Sequence, residues 1–314
     1  MNGSQEKSNA FVVFLFFFIP TIMLILGYFA TPFPHSEFVQ QILLIPLFAG
    51  LILLGTGFFI PNKTYGSIVK IMGWVLFSLF WATQPSTLYI KEGGDVFNAA
   101  VCIIGIYILI YMAYHEWLSI KTKNFPSCLN WIAGGTFFAG IIYFSIDSSL
   151  YPPLKTGLIT LVAEHTEYLL QLLGVEVIRQ NHIITYNGVP IAIIFACTAI
   201  QSMVLFVGMI GALSNIHILR RLAALSITVI PIYFLNLIRN AGVIILVGGD
   251  ITSFEMAHNV IAKIGSLIAL IILLFITFKI IPELYDEILC IFNLTKRKGP
   301  VELFITKLLG KTKT

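Results

Sequence analysis

Eight times along this chain, about twenty successive residues pass with almost no charge. A helix rises about 1.5 Å per residue, so about 20 apolar residues cross the hydrocarbon of a bilayer. Stretches of that kind fall at 10–30, 38–60, 68–90, 98–120, 130–150, 192–214, 222–247 and 258–281, the third liable to end early at Gln84 and Pro85. Of 314 residues, 58% are apolar and 11% charged, with a mean hydropathy of +0.92. A soluble domain carries about 25% charged residues. A larger core cannot make up that shortfall, because a soluble surface still needs charge. This argues against a large apolar α/β domain and makes lipid the solvent for much of the chain. The expected fold class is an all-α polytopic membrane protein of about eight transmembrane helices.

The first apolar run, Ala10 to Ala30, exceeds the ~7–15 residues of a signal-peptide core and lacks a small-x-small cleavage site, so it is expected to be a retained helix. Net charge is +4. The basic residues sit at the ends of the apolar segments, and no basic–aromatic patch speaks for nucleic acid. With the N-terminus inside, the inner loops hold Lys63, Lys70, Lys121, Lys123, Arg220 and Arg221, and the end of the chain adds Lys279, Lys296, Arg297, Lys298, Lys307, Lys311 and Lys313. The outer loops hold only Lys91, Lys155 and Arg179, alongside acidic residues such as Glu92, Asp95 and Glu164. Lys and Arg favour the cytoplasmic side, so a multi-pass protein of the cell membrane with both termini cytoplasmic is expected.

Three regions are expected: a five-helix membrane region at 1–150, a core at 151–281, and a basic cytoplasmic tail at 282–314. The core opens on the largest outer segment. Leu154 to Leu173 has helical character, lies on the membrane or on the bundle, and stops at Gly174. Two short β-branched runs, at 175–179 and 182–186, follow with Asn-Gly turn chemistry. They predict a small extracellular β-hairpin before helix six.

Polar residues inside a span are costly and face a bundle interior or a cavity. On helix six, Cys197, Thr198, Gln201 and Ser202 cluster, with Cys197 and Gln201 four apart on one face. On helix seven, Asn236, Arg239 and Asn240 share a face. Helix eight carries His258 and Asn259 at its outer end and Lys263 a turn deeper. Cys197 stands eight residues beyond Val189, and Arg239 eight before Val247. Both therefore lie about 12 Å below the same boundary on adjacent antiparallel helices. His258 lies shallower and reaches them only if 248–257 folds inward. Taken singly, a membrane cysteine is packing, a buried arginine is helix glue and a helix-end histidine is interfacial. Their common side makes the case for a site.

A nearby cation lowers a thiol's pKa, and the thiolate is the nucleophile. His258 can take the thiol proton and return it to a leaving amine. Arg239 is too basic to be an easy base and suits thiolate stabilisation or an oxyanion clamp. Cys102 and Cys290 sit in apolar helical surroundings and read as small hydrophobes, while Cys128 lies in a loop. None of the four cysteines has CxxC or metal-ligand spacing. No Walker A, HExxH, GxSxG or Rossmann fingerprint occurs, so neither cofactor nor metal is expected.

Leu173-Gly174-Val175-Glu176-Val177-Ile178-Arg179, Asn181-His182-Ile183-Ile184 and Ala196-Cys197-Thr198-Ala199-Ile200-Gln201-Ser202 resemble the exosortase/archaeosortase pattern of a hairpin followed by an alanine-cysteine motif. Leu235-Asn236-Leu237-Ile238-Arg239-Asn240 resembles that family's arginine motif, and His258 falls where its third motif is expected. The resemblance covers about 150–270, and the wording around Cys197 is closest to the archaeosortase branch. Ala199 replaces the family's glycine, and Lys263 is the fallback for the third role.

The resemblance implies a membrane-embedded thiol protease or transpeptidase, with Cys197, Arg239 and His258 catalytic and Gln201, Ser202, Asn236 and Asn240 in support. It implies surface-protein substrates ending in a short motif, a transmembrane helix and a basic tail. Their sorting signal is cleaved through an acyl-thioester and resolved by an amine acceptor, lipid-linked in this expectation, with the site facing the extracellular side. The competing readings are a non-enzymatic transporter or a scaffold with a polar helix interface.

Overall fold

The computed structural model describes residues 3–91, 96–148 and 150–310. The expected charges Glu92, Asp95, Lys311 and Lys313 lie outside them. The helices, in chain order, are α1 (Gly3–Ala30), α2 (Glu37–Phe59), α3 (Lys63–Trp81), α4 (Pro85–Lys91), α5 (Val96–Thr122), α6 (Ser127–Asp147), α7 (Pro152–Leu172), α8 (Ile200–Gly211), α9 (Ile218–Gly248), α10 (Ala262–Ile280), α11 (Pro282–Asn293) and α12 (Pro300–Leu308). Between α7 and α8 lie three strands, β1 (Ile178–Gln180), β2 (Ile183–Tyr186) and β3 (Val189–Ala192). Among the described residues, 7 helices are long and apolar enough to cross a membrane. The eighth expected span, 192–214, is not one of them. Its residues form the end of β3, a 3-10 turn at Phe195–Thr198, and the short α8.

By internal packing the chain divides into two units, Met1–Phe137 with Glu287–Thr314, and Phe138–Asp286. In the first, α2 and α3 lie close because glycines face each other. A Cβ on Gly50 would stand 2.7 Å from the Phe77 backbone nitrogen, and one on Gly73 would stand 3.0 Å from the Gly50 carbonyl. Small residues let apolar helices approach where no hydrophobic force separates helix from lipid. Lys70, expected in a loop, is instead buried on α3, with its Nζ 2.8 Å from Glu116 of α5.

The final segment is more than a polar tail. Glu302 of α12 accepts hydrogen bonds from Tyr111 at 2.8 Å and Tyr114 at 2.9 Å, and lies 3.2 Å from His115. Arg297 donates to the Asn124 carbonyl at 3.0 Å and to Ser119 at 3.2 Å, closing the end of α5. Cys290, expected as a simple hydrophobe, forms a disulfide with Cys128. Two cysteines so far apart in sequence give no local signal of pairing.

The second unit is built on the sheet and α9. A core of Val162, Ala163 and Leu170 from α7, Ile184 and Ile191 from the strands, Ile193 just after β3, and Leu237, Ala241 and Ile244 from α9 surrounds Cys197. α7 thus lies on the bundle, tied to α9 by His165 Nδ1 and the Tyr233 hydroxyl at 2.5 Å. The expected hairpin is a three-stranded antiparallel sheet in the order β1-β2-β3. Asn187-Gly188 turns β2 into β3, with φ of 48° and 81° at the two positions, as a type I′ turn demands. Asn187 Nδ2 also donates to the Gly248 carbonyl at the end of α9, at 3.1 Å.

Candidate active site

β3 leads directly to Cys197. After Ile194 the chain tightens into the 3-10 turn, and the Cys197 N–H donates to the Ile194 carbonyl at 2.8 Å. The Thr198 hydroxyl donates to the Phe195 carbonyl at 2.7 Å. Ala199 then takes φ 58° and ψ 7°, in the left-handed region, and α8 starts on the next residue. That break keeps Cys197 off α8, so Cys197 and Gln201 do not share a helix face as the sequence predicted. Gln201 is exposed and Ser202 half-buried, and neither lines the cleft at the thiol.

Asn236 and Asn240 are one helical turn apart on α9 and buried. Both side-chain amides donate to the Cys197 carbonyl, at 2.8 Å and 3.0 Å. Arg239 lies between them in sequence and donates through Nη1 to Asn240 Oδ1 at 3.2 Å. A relay thus runs from the guanidinium through one amide to the backbone of the cysteine. Sequence spacing found these three residues, because positions i, i+3 and i+4 share a helical face.

His258 lies in a π-helical turn, Met256–Ile261, that opens the last long helix. Turns of this kind are concentrated at functional sites. The Ser253 hydroxyl accepts from the Met256 N–H at 3.3 Å and caps the segment. Phe254 stacks on the His258 ring, with centroids 5.1 Å apart and planes at 9°. The cleft, of about 130 Å³, is lined by Cys197, Asn240, Val243, Phe254, His258 and residues 191–194, the end of β3 and the two residues beyond it. Cys197 and His258 therefore line one space. Lys263, the alternative third residue, is exposed and does not line it.

Two parts of the wall carry no signature in the sequence: Phe254, an aromatic beside a helix start, and β3, hidden in an apolar run. Cys128, Glu287 and Cys290 bring their side-chain ligand atoms within 4.8 Å of one another, but the disulfide occupies both sulfurs.

Residues 72–278 match the model of the transmembrane exosortase family. The chain is also similar to archaeosortase A of Haloferax volcanii, 23% identical over 276 residues, covering 72% of this chain and 84% of that protein. No solved structure matches.

Proposed function

Because the chain belongs to the transmembrane exosortase family, we propose that it is a cysteine transpeptidase that processes the C-terminal sorting signals of surface proteins. The observation that carries the reading is the shared cleft. Cys197 and His258 line one small space, and the carbonyl of Cys197 is held by two buried amides.

In this mechanism the Cys197 Sγ attacks the carbonyl carbon of the scissile bond while His258 takes the thiol proton. The tetrahedral intermediate collapses, the C–N bond breaks, and His258 returns the proton to the leaving amine. An amine acceptor, lipid-linked in this reading, then attacks the thioester, gives up a proton to His258 and forms the new amide as the C–S bond breaks and the thiolate leaves. Arg239 places a fixed positive charge beside the Asn240 relay, where it favours thiolate and oxyanion alike.

The proposed orientation puts both termini in the cytoplasm and the cleft on the outer side. Lys121, Lys123, Arg220 and Arg221 support it, although the burial of Lys70 removes one residue from that count.

The test is substrate processing in cells carrying Cys197→Ala or Cys197→Ser, with protein level and insertion matched to the parent. Surface proteins ending in a motif, a helix and a basic tail should keep that tail. Unchanged processing would return Cys197 to packing and bring the transporter or scaffold reading forward.

A further inference from the structure

Four consecutive residues, Ile191 and Ala192 at the end of β3 and Ile193 and Ile194 just beyond it, line the same cleft as Cys197 and His258. Side chains alternate between the two faces of a strand. Ile191 and Ile193 are buried in the core, while Ala192 and Ile194 are exposed. A cleft that touches all four meets the strand along its backbone edge. β3 is an outer strand of the sheet, so among the described residues this edge has no neighbouring strand.

The register says which groups are on offer. In an antiparallel pair, residues alternate between bonding to the partner and facing away from it. The Ile193 N–H donates to the His182 carbonyl at 2.8 Å, which fixes the phase. Val189 and Ile191 bond to β2 in the same phase, while Pro190, Ala192 and Ile194 turn their backbone groups to the open edge. Pro190 has no N–H to offer there, which is where an edge strand tolerates proline. The Ile194 carbonyl is taken by the Cys197 N–H. The Pro190 carbonyl, both backbone groups of Ala192 and the Ile194 N–H remain, in a line ending at the nucleophile's own turn. Unpaired edges are templates for strand addition, and they are costly beside hydrocarbon.

We propose that the substrate segment preceding the scissile bond binds as a fourth strand on β3, recognised through its main chain. β3 runs toward Cys197, so a segment delivering its carbonyl to the thiol runs parallel to it. Two of its amides, two residues apart, donate to the Pro190 and Ala192 carbonyls. The Ala192 and Ile194 N–H groups donate back. The substrate class is therefore an extended polypeptide, with side chains of secondary importance along this stretch. The proposal rests on Cys197 being the nucleophile.

The experiment uses the full chain in detergent and two alkylating probes, iodoacetamide and acetyl-tetraalanine chloromethyl ketone, with modification of Cys197 followed by peptide mass. The thiolate displaces iodide or chloride, and a carbon–sulfur bond forms. Methylating either of the two donor amides of the peptide reagent should slow it about tenfold, the worth of one good hydrogen bond. Methylating the amide between them should change the rate less than about twofold. Ala192→Pro removes an edge N–H without touching the ladder to β2. It should slow the tetraalanine reagent about tenfold and leave iodoacetamide unchanged, a result that also reports an intact fold. Equal sensitivity at all three amides, or an unaltered peptide rate in Ala192→Pro, would overturn strand addition while leaving the nucleophile in place. Failure of iodoacetamide to modify Cys197 would instead remove the nucleophile, and this proposal with it.

Discussion

Two amides on one carbonyl make a sharp energetic prediction. Asn236 and Asn240 both donate to the Cys197 carbonyl, at 2.8 Å and 3.0 Å. A side-chain hydrogen bond between membrane helices is worth about 0.6 kcal/mol on average. Asn236→Leu, close to isosteric, should therefore destabilise the protein by about that amount, because the second amide still serves the acceptor. Asn240→Leu should behave alike, with a further loss in activity because Arg239 also loses its Asn240 partner. The double substitution strips the carbonyl of both amides, and an unsatisfied buried polar group costs about 1–3 kcal/mol. The double mutant should thus exceed the sum of the singles by about 1–2 kcal/mol. The assay is thermal or denaturant unfolding of the full chain in detergent, completed as a double-mutant cycle. Additivity within about 0.5 kcal/mol would show that the amides do not share the work, and the clamp would be refuted.

Ala199→Gly should stabilise the protein by about 1 kcal/mol, since a left-handed residue with a Cβ is strained by that order; an unfolding midpoint that falls would contradict this. Gly248→Ala places a Cβ 2.5 Å from Tyr186 Cδ1 and 2.9 Å from the Tyr186 carbonyl. Overpacking of that kind costs about 1–3 kcal/mol, read by the same unfolding assay. Burial pushes the Glu302 carboxyl up, but hydrogen bonds from His115, Tyr111 and Tyr114 prevail and hold it below the usual carboxylate range. Its contribution is present above its unfolded pKa of about 4.3 and fades as pH falls through the folded value. Glu302→Gln should flatten that acid limb of a stability–pH curve, and an unchanged limb would count against the anchor. Arg239→Lys should lower substrate processing at least about tenfold at normal protein level, because a point charge cannot replace a planar fork. Full processing would reduce the role of Arg239 to generic charge.

The spans were legible because lipid dictates length and composition together. The α9 triplet was legible too, since Asn236, Arg239 and Asn240 share a face under any helical reading. Residues 189–194 misled. Val, Ile and Ala suit a buried strand and a membrane helix equally, and periodicity cannot separate the two in a short apolar run. Pro190 was the one local hint of an edge strand, and a helix begun at 192 put Cys197 on the wrong element. The same error hid the reason for the family's glycine two residues beyond the cysteine. Position 199 has a positive φ, whereas the sequence suggested only close helix approach. His258 was expected at the cleft only if 248–257 folded inward; a π-helical turn, Met256–Ile261, holds it there as a lining residue.

The bond between Cys128 and Cys290 spans 162 positions and brackets every residue of the unit that holds the cleft. The whole second unit is in covalent terms a closed loop with a single base. One peptide cut anywhere between those cysteines leaves a single molecule, its halves parting only when a reductant opens the ring. New chain ends could therefore be introduced within the loop while both sides of the cleft stay covalently joined. The loop's two strands of entry and exit are held together at that base, with Cα atoms 5.8 Å apart.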